Sequence, residues 1–227
     1  ILEPGGGVFV LNVPRDEHGR FRPELARIQQ LFDGTEGIVR EPALDFDAKT
    51  IYFAYRPDTP EVEGWASYWH LYSMEADGSG LRKLTDGPFH DFDAVCLPDG
   101  GVAFHSTRCA VRFLCWRPQA YVLYRMDADG ANMRRLSHAN LSEWKPSVMR
   151  SGRILWTRSE YLDKGADFGH TLWSISPDGT HPELVFGNNT PNCYSQAHEV
   201  PGSQELVCTL MSHGDHSSPI ALLDRSK

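Results

Sequence analysis

Two stretches of the chain carry nearly the same phrase: LYSMEADGSGLRKL from Leu71 and LYRMDADGANMRRL from Leu123, 52 residues apart. Each divides into an alternating apolar run, an Asp-Gly turn signal and a second short run. Glycine accepts positive φ at low steric cost, so Asp-Gly between such runs predicts a β-hairpin. A lone hairpin cannot bury its faces, and a chain that repeats one must stack the copies.

The segment after each hairpin also recurs. FDAVCLPDGGVAFHSTR from Phe92 and KPSVMRSGRILWTRSEY from Lys145 both read as two strands around a tight turn, at Asp99-Gly100 and Ser151-Gly152. A third copy runs through TLWSISPDGTHPELVF from Thr171 and SQAHEVPGSQELVCTL from Ser195, and a fourth through GVFVLNV at Gly7 and EPALDFDAKTIYFAYR from Glu41. Gly78, Gly130 and Gly179 succeed one another at 52 and 49 residues. Four antiparallel strands recurring at about 40 to 50 residues predict the blades of an all-β fold, a β-propeller.

The chain is read as a single propeller domain or fragment over 1–227, with units at about 7–56, 70–107, 121–160 and 171–210 and another starting at 219. With the innermost strand first in each blade, the chain opens and closes on third strands. The leftover edge points to part of a larger ring. RPELARIQQLF, residues 22–32, is the one candidate helix, weighed against an outer strand with a long approach.

With 227 residues, 41% of them hydrophobic, the chain can bury a sizeable core. A net charge of -8 without any Lys/Arg cluster excludes a nucleic-acid backbone or an anionic membrane surface as partner. No apolar run reaches the roughly 18 residues of a membrane span.

In a propeller, the connections from the fourth strand to the next blade and from second to third strand emerge on one face. His90, His105, His138 and His170 map to that face, as do His70, His213 and His216. Arg108, Arg158, Glu160 and Trp116 join them as candidates for a binding face. MSHGDHSSP sets His213, Asp215 and His216 within four residues, and NCYSQAHE adds Cys193, Gln196 and His198 at the neighbouring strand start. Imidazole with carboxylate suits zinc, manganese or iron, so His213, His216, Gln196, His198 and Cys193 are candidate metal ligands. Solvated loop histidines are the alternative. Asp91, Asp93 and Glu143 recur at equivalent blade positions and read as structural. Gly-x-Ser-x-Gly, a phosphate-cradling glycine loop and His-Glu-x-x-His are all lacking.

LYRMDADGANMRRLS with EWKPSVMRSGRILWTRSEY, and LRKLTDGPFHDFDAVCLPDGGVAFHSTR, resemble the TolB-type propeller repeat. More closely, they resemble the propeller portion of bacterial proteins related to the hydrazine synthase alpha subunit, over about residues 46–224. The resemblance implies a propeller and an exported protein, periplasmic or extracellular. The enzyme itself binds c-type haem and zinc. Covalent haem attachment requires Cys-x-x-Cys-His, which this chain lacks, so hydrazine chemistry does not carry over. Cysteines recur in that family at the loop of Cys109 and Cys115, whose spacing can close a small disulfide, with two free thiols the alternative. Cys96 and Cys208 alternate with apolar neighbours and read as core.

Three functional readings are open. The first is an exported module presenting a histidine-rich loop face to a protein, a small polar ligand or a carbohydrate. The second is the propeller part of a metal- or haem-dependent enzyme related to the hydrazine synthase alpha subunit. The third is a metal-dependent lyase like oligogalacturonate lyase, whose propeller carries a His/Gln metal site.

Overall fold

The structure, a computed structural model, describes residues 4–58, 67–112, 119–139, 141–160, 169–188, 190, 192–211 and 218–225. Strands β1 (Gly6–Asn12) and β2 (Arg27–Gly34) form a two-stranded hairpin. The first four-stranded sheet comes next: β3 (Gly37–Leu44), β4 (Thr50–Pro57), β5 (His70–Glu75) and β6 (Arg82–Lys83). The second comprises β7 (Asp91–Cys96), β8 (Val102–Ser106), β9 (Val122–Met126) and β10 (Arg134–Arg135). The third comprises β11 (Glu143–Val148), β12 (Ile154–Ser159), β13 (His170–Ile175) and β14 (Glu183–Phe186). β15 (Cys193–Glu199), β16 (Glu205–Met211) and β17 (Ile220–Asp224) make a three-stranded fourth sheet among the described residues.

Every sheet is an antiparallel meander. β3 packs beside β7, β7 beside β11 and β11 beside β15, so first strands line the inside of a four-bladed propeller arrangement. The repeated phrase supplies the third and fourth strands of the first two blades.

Side-chain alternation explains the stacking. Val102 and Phe104 on one face of β8 are fully buried with Trp69, Leu71 and Tyr52 of the first blade. Ala103 on its other face packs with Ile154 and Trp156 of the third blade, and Leu155 packs with Leu206 and Cys208 of the fourth. The second and third blades are thus apolar on both faces because each face meets a different neighbour, as in a sheet covered on both sides.

Glycine turns lock the blades in register. Gly78, Gly130 and Gly179 have φ of +90°, +91° and +89°, and each sits against one leucine: Leu31 in β2, Leu84 directly after β6 and Leu136 directly after β10. Leu31 on β2 therefore stands where Leu84 and Leu136 stand, and the β1–β2 hairpin takes the place of third and fourth strands of a preceding blade. Residues 22–32 accordingly form no α-helix. Pro23–Leu25 is a 3₁₀ turn and Arg27–Gly34 is a strand, because β1 offers an edge whose backbone groups need a partner.

A Cβ on Gly130 would lie 2.7 Å from the Leu84 carbonyl oxygen, whereas one on Gly100, at φ +84°, meets nothing within 4 Å. Gly100→Ala is expected to cost about 1–2 kcal/mol from the left-handed backbone alone. Gly130→Ala should lose at least twice as much on urea unfolding, since the neighbouring blade's backbone must shift. Equal losses would show that the blades do not pack through this turn.

Among the described residues, no helix is long and apolar enough to cross a membrane. The expected Cys109–Cys115 disulfide is not found: Cys109 is a free thiol whose Sγ donates to the Ala120 carbonyl at 3.1 Å, and Cys115 lies outside the described residues. Cys96 and Cys208 are buried, and burial pushes each thiol up to about 11, away from reactivity.

Candidate functional site

Each innermost strand carries a β-bulge at the same level. The pairing register slips between Arg40 and Ala43, Phe92 and Val95, Trp144 and Ser147, and Ser195 and His198. At these bulges Glu41, Asp93, Lys145 and Gln196 adopt φ of 54°, 56°, 55° and 54°, a region that non-glycine residues seldom enter. Bulges re-aim side chains, and strain of this kind persists where the surroundings enforce it. Here all four residues line one cavity of about 260 Å³, together with Pro42, Ala94, Pro146 and His198.

The bulges are laced across blades. Glu41 Oε2 accepts the Asp93 backbone N–H at 3.0 Å, and Asp93 Oδ2 accepts the Lys145 backbone N–H at 3.2 Å. Lys145 Nζ turns back to donate to Asp93 Oδ1 at 2.8 Å and to Glu41 Oε1. Arg40 Nη2 also reaches Glu41 Oε1, at 2.6 Å.

Burial works against the Asp93 charge, but its interactions with the adjacent His105 and Glu41 side chains and the Lys145 charge hold its carboxyl far below the usual range. Glu41 is pushed up, by burial first and by Asp93 next. Burial opposes the Lys145 charge as well, and its two carboxylate partners overcome that and raise it. Asp93 and Lys145 form the fixed ion pair, and Glu41 is the group that takes a proton more readily.

A second tier crosses the starts of these strands. Arg56 lies over Trp69 at 5.2 Å, and Arg40 lies over Trp69 at 5.1 Å and Phe92 at 5.6 Å. Phe92 meets Tyr121 edge-on at 4.9 Å, Tyr121 meets Trp144 at 6.4 Å, and Trp144 meets His170 at 4.9 Å. Burial, then the Asp93 charge, pushes the Tyr121 phenol up to about 12.

The structure divides the residues expected at the loop face. His105 is fully buried, its Nδ1 3.5 Å from Asp93 Oδ2, and so belongs to the interior. His90 is partly buried; its Nδ1 accepts the Trp69 backbone N–H at 3.3 Å, and burial first, then Arg56, lowers its pKa. His138 is exposed between β10 and β11. Arg108 is held on the buried Asp91, with Nη2 2.8 Å from Oδ2, and Ser106 donates to Asp91 Oδ1 at 2.6 Å. Arg158 lies over Trp173 at 4.6 Å, and Glu160 Oε2 accepts from Thr171 Oγ1 at 2.6 Å. Glu143 takes the Leu123 N–H at 3.0 Å and the Ser137 hydroxyl at 2.6 Å.

Of the metal candidates, Gln196 and His198 share the axial cavity, and Cys193 is wholly buried at the start of β15. His213, His216 and Trp116 lie outside the described residues. Among the described residues, no three His, Cys, Asp or Glu side chains are grouped to hold a metal ion. Glu41 and Lys145 do not stand out in the sequence as site residues, although the 52-residue period aligns them with Asp93 and marks a position where the repeat changes its charge.

Fold and site together define a four-bladed β-propeller arrangement with a charged axial pocket. The most informative likenesses are to solved structures. Hydrazine synthase from Kuenenia stuttgartiensis superposes with a TM-score of 0.67 at 17% identity, over 91% of this chain and 36% of that one. A putative TolB from Agrobacterium tumefaciens gives 0.56 at 14% identity, over 87% and 80% of the two chains. An oligogalacturonate lyase in complex with manganese gives 0.53 at 14% identity, over 87% and 51%. The chain therefore spans about a third of the hydrazine synthase chain, and at these identities the likeness is one of fold. No protein-family model matches the chain, nor does any curated protein sequence.

Proposed function

We propose that this chain is a binding module that receives a small polar ligand in its axial pocket. One observation carries the reading: four inner-strand bulges, on four blades, aim Glu41, Asp93, Lys145 and Gln196 into a single cavity. Packing alone does not require four residues in the left-handed region, whereas converging polar groups in a concavity are what a ligand needs. The aromatic and arginine tier beside it offers a surface for sugar rings or a protein segment.

The described donors do not fit a divalent metal. The Lys145 ammonium bridges Glu41 and Asp93, which leaves Gln196 and His198 as the remaining side chains on the cavity. Periplasmic or extracellular location rests on the family resemblance; recovery of the native gene product in the cytoplasmic fraction of its host would remove it.

The test is a titration of the ¹⁵N-labelled chain with acidic, basic and neutral compounds of four to six carbons. At least one should shift the amides of Asp93, Lys145, Gln196 and His198 saturably. Ala94→Phe, which fills the cavity from a lining position, should reduce those shifts at least tenfold. A panel that moves no pocket amide would overturn the reading.

A further inference from the structure

The axial lacing follows a rule with one exception. In its first two steps a carboxylate on one blade takes the backbone N–H of the next blade's bulge residue: Glu41 from Asp93 at 3.0 Å, then Asp93 from Lys145 at 3.2 Å. At the third step the bulge residue that precedes Gln196 around the axis is Lys145. An ammonium carries three donors and no acceptor. Lys145 reaches backward instead, onto Asp93 and Glu41.

The place that a third carboxylate would hold by the repeat is therefore bordered by donors. Gln196 brings its backbone N–H and its side-chain amide, and His198 its ring. Both side chains are exposed on the cavity, and neither makes a hydrogen bond or ion pair with a described residue. The fixed charges around them balance, since Glu41 and Asp93 stand against Arg40 and Lys145. An additional anion meets no net repulsion here.

We infer that the axial pocket binds a small-molecule carboxylate, one oxygen accepting the Gln196 N–H and the other facing Lys145 Nζ, so that a ligand atom completes the cross-blade lacing. This rests on the pocket reading above and names the ligand class. A cavity of about 260 Å³ is slightly smaller than drug-sized ligand pockets, which run from roughly 300 to 1,000 Å³, and suits a short acid. Charge-assisted hydrogen bonds to the carboxylate would be the strong contacts, with Gln196 fixing its orientation.

Three four-carbon probes separate the possibilities: succinate, 1,4-diaminobutane and 1,4-butanediol, each titrated into the ¹⁵N-labelled 227-residue chain at matched ionic strength. Succinate should move the Gln196 and His198 amides saturably, and bind at least tenfold tighter than the diol. Lys145→Gln should weaken succinate at least tenfold. Because that change also breaks an ion pair, Lys145→Arg provides a second check: it keeps the positive charge and should bind succinate more tightly than Lys145→Gln does. Pocket shifts with the diamine or diol and none with succinate would overturn the carboxylate and leave the pocket reading standing. No pocket shift with any probe would overturn both. Undiminished succinate affinity in a folded Lys145→Gln protein would also end the inference.

Discussion

Asp93→Ala is expected to lower the free energy of unfolding by about 3–5 kcal/mol, the range seen when one partner of a buried ion pair is removed. Its side chain is 3% exposed and receives Lys145 Nζ at 2.8 Å and the Lys145 N–H at 3.2 Å. Truncation strands the Lys145 N–H, leaves Lys145 Nζ to Glu41 alone, and removes the anion next to the fully buried His105. Asp93→Asn, which keeps an acceptor and the volume but no charge, should lose less. Urea unfolding at neutral pH measures both, and an Asp93→Ala loss below about 1 kcal/mol would show that the axial network does not hold the inner strands.

The same residue sets a pH dependence. The folded pKa of Asp93 is depressed, because His105, Glu41 and Lys145 outweigh burial. Its contribution is therefore complete above the unfolded value of about 3.9 and is lost as pH falls toward the lower folded value. The difference between wild type and Asp93→Ala should shrink as pH is lowered through about 4. Glu41 acts in the opposite sense: its raised pKa means the folded state takes up a proton above the unfolded value, which favours folding as pH falls through the folded one.

Phe104→Ala should cost a similar amount, about 3–5 kcal/mol, for a different reason. The ring is fully buried where the first and second blades meet, 6.0 Å from Tyr124, in a cluster with Trp69, Leu71 and Val122. Truncation leaves a cavity between two sheets that cannot close without moving one of them. Phe104→Leu, which preserves most of the volume, should cost less than about 1.5 kcal/mol. Should the two variants unfold at the same urea concentration, the blade interface is not close-packed around this ring.

Alternation in GVAFHS and RILWTR and the Asp-Gly turns make strands and hairpins legible in the sequence, and the repeat makes blades legible. Residues 22–32 are ambiguous because RPELARIQQLF suits a helix in isolation, and the open edge of β1 decides for a strand. His105 reads as a loop-face residue from its place at a strand end, yet the bulge at Asp93 draws carboxylate and imidazole together in the interior. Cys109 and Cys115 are close in sequence, but the Ala120 carbonyl takes the Cys109 thiol.

The amino-acid order by itself determined the local backbone: two-residue alternation, positive-φ turns and a period near 52 residues. These come from φ/ψ sterics and from the need of each sheet face for cover, and both act within one repeat. The tertiary structure alone decided the chemistry at the axis. Glu41, Asp93 and Lys145 are 52 and 104 positions apart, and they meet because successive blades set equivalent bulges side by side. Charge complementarity among repeats is a property of their juxtaposition, so no single repeat contains it.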